Sequence, residues 1–263
     1  MKQKTIQIRN LSIGYRRKKN KHIVAQNIHS TLYSGELACL IGANGVGKST
    51  LMRTLAAFQP ALAGEIQIND KSITAYSGGE LARIISVVLT ERVEINNLSV
   101  SELVGMGRNP YTNFWGTLKP EDETIVQDAL GQVGACHLSE RLIETLSDGE
   151  RQKVMIAKAL TQQTPVIFLD EPTAFLDFPS KVEILQTLHR LSRTTGKTIF
   201  LSTHDLELAL QVADTLWLMD EKGLTVGSPA ELAQSGCLET LFSNKNVVFD
   251  RDTYCFKINT YLQ

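Results

Sequence analysis

One stretch constrains this chain more than any other: the apolar run "ELACLI" passes directly into "GANGVGKST". Residues 42–49 fit the pattern G-x-x-x-x-G-K-[ST]. The glycines let the backbone bend until successive N–H groups face one anion, and the following helix adds the positive end of its dipole. A fold that presents such a loop needs a strand ending at a sheet edge and a helix starting immediately behind it. Lys48 is then expected to reach the β- and γ-phosphates of a nucleotide, and the Ser49 hydroxyl to face Mg²⁺. The alternative is a tight glycine turn without a ligand, and the strand and helix signals on its two sides argue against it. The loop names neither the base nor the fate of the γ-phosphate. A guanine reader would need N-K-x-D, and "NKNV" at Asn244 to Val247 has no aspartate in the required place.

Two further apolar runs end in reactive side chains. "VIFLDE", Val166 to Glu171, is apolar throughout and closes on two carboxylates. A strand of that kind is buried on both faces, so its acidic end falls at the carboxyl edge of a parallel sheet, where ligands bind. Asp170 is expected to hold Mg²⁺ through water and Glu171 to face the attacking water. A plain helix-capping role for the two carboxylates is the bland alternative. "FLSTHD" closes another such strand on His204, expected at the γ-phosphate rather than in a purely structural position. Around these runs, strand and helix alternate through "VIFLD", the helix near Val182 to Leu191, "TIFLS", a helix from about Leu206, and "TLWLM". Alternation of this kind predicts an α/β fold with a mostly parallel sheet covered by helices. The first residues read instead as short strands, "TIQI" and "LSIGY", with "EIQIND" as a hairpin strand. Residues 91–150 turn helical; Ile125, Val126, Ala129, Leu130 and Val133 share one face. The expected layout is one domain over residues 1–263, with a core of about 1–90 and 151–225. A helical subdomain of about 91–150 interrupts it, and an extension of about 226–263 follows.

With "GANGVGKST", "LSDGE", "VIFLDEPT", "AFLD" and "STHD" in this order and spacing, the chain resembles the ATP-binding subunit of an ABC transporter, from Tyr15 to about Met219. The resemblance implies the P-loop ATP-binding cassette fold, with antiparallel strands at its start. It also implies ATP and Mg²⁺ as ligands, and a phosphate loop of Gly42, Ala43, Asn44, Gly45, Val46, Gly47, Lys48, Ser49 and Thr50. Two such domains pack head to tail in that family. Ser147, Asp148, Gly149 and Glu150 would therefore serve the nucleotide held by a second copy, Ser147 and the Gly149 N–H meeting its γ-phosphate. On residue type alone, "LSDGE" is a helix N-cap, and capping and phosphate binding use the same geometry. Asp177 matches the loop that crosses between the two sites, and Tyr15 matches the aromatic that stacks on adenine. Glu171, His204 and Lys48 become the hydrolytic residues, with Ser49 and Asp170 at the metal.

One position departs from the pattern. Where the family usually carries a glutamine linking Mg²⁺ to the transporter interface, spacing from "SVSELVGMGR" places Thr90. A threonine hydroxyl can face the metal only on a shorter arm, so a water, the neighbouring Glu91 or altered coupling would make up the difference. The insert's "SVSELVGMGRNPYTNFWG" is similar to importers for iron–siderophore complexes, haem and cobalamin. Tyr111, Phe114 and Trp115 in it are candidates either to border a groove for a partner's helix or for ordinary packing.

The totals narrow the partners. A net charge of −1 argues against nonspecific affinity for nucleic acid. No apolar run approaches the roughly 20 residues of a membrane-spanning helix, and "MKQKTIQIRN" lacks the apolar core of a secretion signal. The four cysteines show no metal-ligand spacing and are expected to be reduced structural thiols. The resemblance thus implies a cytoplasmic protein, peripheral on the cytoplasmic face of the membrane. It would be held there by permease subunits, pair with a second copy of itself, and work with a substrate-binding protein. A soluble cassette ATPase, an ABC subunit for another cargo, and a binding-only nucleotide switch are the competing readings. Glu171 and His204 argue against the last of these.

Overall fold

The structure is a computed structural model that describes residues 3–17, 20–90, 97–113, 116–240, 247–251 and 253–258. The chain begins with β1 (Lys4–Arg17), β2 (Asn20–Tyr33), β3 (Leu37–Gly42), α1 (Lys48–Leu55), β4 (Ala63–Ile68), β5 (Lys71–Ser72), α2 (Gly78–Leu81) and β6 (Ile85–Val88). There follow α3 (Val100–Gly105), α4 (Pro120–Gln132), α5 (Asp148–Thr161), β7 (Val166–Leu169), α6 (Phe178–Thr195), β8 (Thr198–Ser202), α7 (Leu206–Val212) and β9 (Thr215–Asp220). The chain closes with β10 (Gly223–Gly227), α8 (Pro229–Ser235), α9 (Cys237–Thr240), β11 (Val247–Asp250) and β12 (Cys255–Ile258).

The six-stranded sheet has the order β10-β9-β3-β8-β7-β6. Its strands from β9 to β6 pair in parallel, and only β10 is antiparallel. Each parallel strand is apolar on both faces because each face meets its own core. Cys39, Leu169, Leu201 and Leu218 enter one layer with Ile184, Leu185 and Leu188 of α6. Leu40, Phe168, Phe200 and Trp217 enter the other, with Leu51 and Leu55 of α1 and with Ile6, Ile13 and Ile66 of a second sheet. Burying an aliphatic or aromatic side chain of this size contributes about 1.5–3 kcal/mol each, so continuous apolar strands are what a two-sided core selects. The Phe200 and Trp217 rings sit 4.8 Å apart at its centre.

The second sheet, β2-β1-β4-β5, is antiparallel. Two short opening strands are the expectation from "TIQI" and "LSIGY", but they form the single strand β1. Asn10 between them adopts a left-handed φ of 48° and the pairing with β2 shifts register there. A bulge bends one long strand instead of ending it. Helices α3, α4 and α5 pack on one another as the insert, and α5 begins at Asp148, so a boundary drawn at 150 falls inside its first turn. Phe249 of β11 is buried in the same core layer as α6, which ties the terminal hairpin to the body.

Candidate functional site

The parallel register brings three strand ends to one edge. Leu40 of β3 pairs with Ser202, and Leu169 of β7 pairs with Leu201. The loop after β3, the Asp170–Glu171 pair after β7 and His204 after β8 therefore emerge side by side. Between Gly42 and α1 the backbone curls with Gly45 at φ 81° and Gly47 at φ 116°, conformations that L-residues with a Cβ rarely adopt. A Cβ on Gly47 would lie 2.4 Å from Val24 Cγ1, whereas one on Gly45 would meet nothing within 4 Å. The loop is thus packed tightly at its base and open at its tip.

Lys48 is buried, and its Nζ donates to the carbonyls of Gly42 at 2.8 Å and Ala43 at 3.2 Å. Burial pulls the Lys48 ammonium below its usual range, while the charges of Glu171 and Asp170 oppose that shift. The two acidic groups and the lysine therefore share one electrostatic site. Ser49 is exposed at the first turn of α1, and the Tyr15 and Thr50 hydroxyls are bonded at 2.8 Å. Tyr15, on β1, keeps 44% of its surface exposed at the start of α1.

The acidic corner is held by three side chains. The Thr90 hydroxyl donates to the Asp170 carbonyl at 2.6 Å. The buried Ser202 hydroxyl donates to Asp170 Oδ1 at 2.6 Å and accepts from the Glu171 N–H at 2.9 Å. The His204 Nε2 lies 2.5 Å from Glu171 Oε1. Glu171 itself has a φ of 48°, a left-handed conformation costing about 1–2 kcal/mol for a residue with a Cβ. The arrangement can fix a carboxylate on a water and present a cationic lysine to phosphate. Ser202 is the member that residue types alone did not single out. Only the β7–β8 register, which sets it beside Asp170, reveals it.

"LSDGE" lies at the start of α5. Ser147 caps α5, its Oγ accepting from the Glu150 N–H at 3.3 Å, and the Glu150 carboxylate accepts from the Ser147 N–H at 2.8 Å. Those bonds to Ser147 hold the Glu150 carboxyl below the usual range, and Arg141 adds an ion pair at 3.2 Å. Ser147 and Asp148 are exposed. Asp148 lines a cleft with Thr90, Asp170, Glu171 and Phe175, and a Cβ on Gly149 would stand 3.3 Å from Ser180 Oγ. Among the described residues, no hydrogen bond or ion pair of Ser147 or Glu150 reaches the phosphate loop. Asp177 caps α6, accepting from the Ser180 N–H at 3.2 Å. It stands between Phe175 and Phe178, which are 73% and 67% exposed.

The insert's "GRNPY" is a packing device. Arg108 Nε pairs with Asp122 Oδ1 at 2.8 Å and its Nη1 donates to the Thr161 carbonyl at 2.8 Å. The Tyr111 ring lies 4.1 Å from that guanidinium, and its hydroxyl donates to the Gln162 carbonyl at 3.0 Å. Tyr111 is therefore engaged within its own chain; Phe114, Trp115 and Glu91, and Asn244 of "NKNV", fall outside the described residues. Of the cysteines, Cys39 is buried and Cys136 exposed, with Cys237 and Cys255 between.

A P-loop nucleotide hydrolase with a helical insert is what fold and site together define. The ABC transporter family model matches residues 25–174. An ABC transporter ATP-binding protein of Methanocaldococcus jannaschii is 38% identical over 90% of this chain and 81% of its own length. The ferric enterobactin transport ATP-binding protein FepC of Escherichia coli is 33% identical over 91% of this chain and 88% of its own. A solved ABC transporter described as metal-chelate type, in an inward-facing conformation, superposes with a TM-score of 0.78 at 27% identity. That match covers 91% of this chain and 89% of the solved one. The chain belongs to the ABC transporter family, as one of its ATP-hydrolysing cassettes. Among the described residues no helix is long and apolar enough to cross a membrane.

Proposed function

We propose that this chain powers import of a metal chelate (an iron–siderophore complex, haem or cobalamin) from the cytoplasmic face of the membrane. It docks on integral permease subunits, pairs head to tail with a second copy of itself, and works with a substrate-binding protein. The observation that carries hydrolysis is the Glu171 carboxylate held at His204, at the same edge as Lys48. Lys48 supplies positive charge to the β- and γ-phosphates, and Glu171 takes the proton of the attacking water while His204 orients it. Thr50 belongs to the loop but spends its hydroxyl on Tyr15, whose ring is left for adenine. Ser147, Asp148, Gly149 and Glu150 act on the second copy's nucleotide, which is consistent with an exposed Ser147 whose hydrogen bonds, among the described residues, go to Glu150 and not to its own phosphate loop.

Mg²⁺ fits the oxygen donors present. Asp170 Oδ1 is taken by Ser202, and among the described residues Oδ2 and the exposed Ser49 hydroxyl have no protein partner. Hard oxygen donors of this kind suit Mg²⁺, which would neutralise charge building on the phosphates. Thr90 donates its hydrogen to Asp170, so its oxygen can face the ion only by a lone pair. Cargo identity rests on the similarity of the insert and on the ferric enterobactin relative. The test is affinity purification from detergent-solubilised membranes, followed by ATPase assay. An integral permease should co-purify and stimulate turnover. Recovery of soluble partners alone, with unstimulated ATPase, would favour a cassette not coupled to transport.

A further inference from the structure

We propose that Ser202 is a positioning residue for ATP hydrolysis, holding the metal-side carboxylate and the basic carboxylate in one fixed relation. The inference rests on the functional reading above. Ser202 ends β8 and is fully buried. Its parallel neighbour in β7 sets it beside the Asp170–Glu171 peptide. One hydroxyl makes two bonds of opposite sense: it donates to Asp170 Oδ1 and accepts from the Glu171 N–H. That donation fixes the rotation of the carboxylate: Oδ1 faces Ser202, and Oδ2 is left without a hydrogen-bond partner among the described residues. The acceptance fixes the Glu171 backbone, whose left-handed φ of 48° is otherwise disfavoured. On the far side Thr90 holds the Asp170 carbonyl, so the peptide between the two carboxylates is clamped from both edges. A glutamate at that φ sends its side chain toward His204, and the pair meets at 2.5 Å. An apolar residue at 202 would fill the strand equally well, yet would leave the partly buried Glu171 N–H without its acceptor and Asp170 free to rotate. Outer partners that orient metal-binding groups in this way typically govern metal affinity or activity by about 10–100-fold.

The test compares wild type with Ser202→Ala and Ser202→Thr, measuring binding of a fluorescent ATP analogue in EDTA and in Mg²⁺, together with steady-state turnover. In EDTA the Ala variant should bind the analogue as wild type does, because the phosphate loop is untouched. The tightening produced by Mg²⁺ should shrink by about tenfold and turnover at saturating Mg²⁺-ATP should fall by at least as much, while Thr, which keeps the hydroxyl, restores both. Melting curves check that each variant is folded, and the Ala change removes only one buried oxygen. Wild-type Mg²⁺ response and turnover in Ser202→Ala would overturn the proposal. So would equal impairment of folded Ala and Thr variants, because shape and not the hydroxyl would then be what matters. A wild-type chain that hydrolyses no ATP would instead sink the functional reading, and this proposal with it.

Discussion

Replacing Arg108 with alanine should destabilise the chain by about 3 kcal/mol. Arg108 and Asp122 side chains are only 7% and 10% exposed, so removing the guanidinium strands a buried carboxylate. The Thr161 carbonyl and Gln163 Oε1 lose their donor as well. Breaking a buried ion pair from one side typically costs about 3–5 kcal/mol; the lower figure applies because the Lys119 N–H still reaches Asp122 at 3.0 Å. At about 2–4 °C per kcal/mol for a chain of this size, the melting temperature should drop by about 6–12 °C. Scanning calorimetry with and without denaturant measures both. Asp122→Asn in the Arg108→Ala background should recover part of the loss, since a neutral amide leaves no buried charge. The pH dependence has a definite sign. The Lys119 N–H first, and then Arg108, hold the Asp122 carboxyl below its usual range. A depressed pKa contributes stability that is present above the ordinary aspartate value of about 4 and is lost as pH falls below it. The gap between wild type and Arg108→Ala should therefore be full near neutrality and narrow in acid. A melting temperature within about 1 °C of wild type at neutral pH would refute the clamp, since that corresponds to less than about 0.5 kcal/mol.

Three further outcomes are expected. Gly107→Ala should cost more than about 3 kcal/mol in chemical denaturation, because its Cβ would stand 2.0 Å from Thr161 Oγ1 and 2.2 Å from the Lys158 carbonyl; a fold of unchanged stability would show that α5 can shift away. Thr90→Ala should lower permease-stimulated turnover more than ATP affinity, and equal loss of both would mean that coupling runs elsewhere. Lys48→Ala and Ser147→Arg proteins should each be inactive, yet regain some turnover when mixed with permease, because one composite site then has an intact loop and an intact signature. A Ser147→Arg monomer hydrolysing ATP normally at dilutions without dimer would reduce "LSDGE" to a helix cap.

Strand ends were legible because burial on two faces writes itself as uninterrupted apolar sequence. "ELACLI", "VIFLD" and "FLST" announced β3, β7 and β8, and with them the positions of Lys48, Asp170, Glu171 and His204. Contacts across strands were less legible. Ser202 reads as an ordinary polar residue until the register sets it against Asp170, and the Thr90 bond to the Asp170 carbonyl depends on where a loop returns to the sheet. The insert left two readings open for a related reason. An aromatic among turn residues can border a groove or pack inward, and only the placement of Arg108 beneath Tyr111 decides it. At the N-terminus "TIQI" and "LSIGY" read as two strands, whereas a single left-handed residue between them, Asn10, is accommodated as a bulge.

The most direct test of the account is turnover and assembly of Glu171→Gln in Mg²⁺-ATP. Glutamine keeps the size of the side chain but cannot take the water's proton. Losses of transition-state positioning and proton transfer of this kind cost several kcal/mol, so turnover should fall well beyond tenfold. ATP binding should survive, and size-exclusion chromatography with ATP should show a dimer that wild type forms only transiently. Undiminished hydrolysis by Glu171→Gln, or a protein that stays monomeric with ATP bound, would contradict the account.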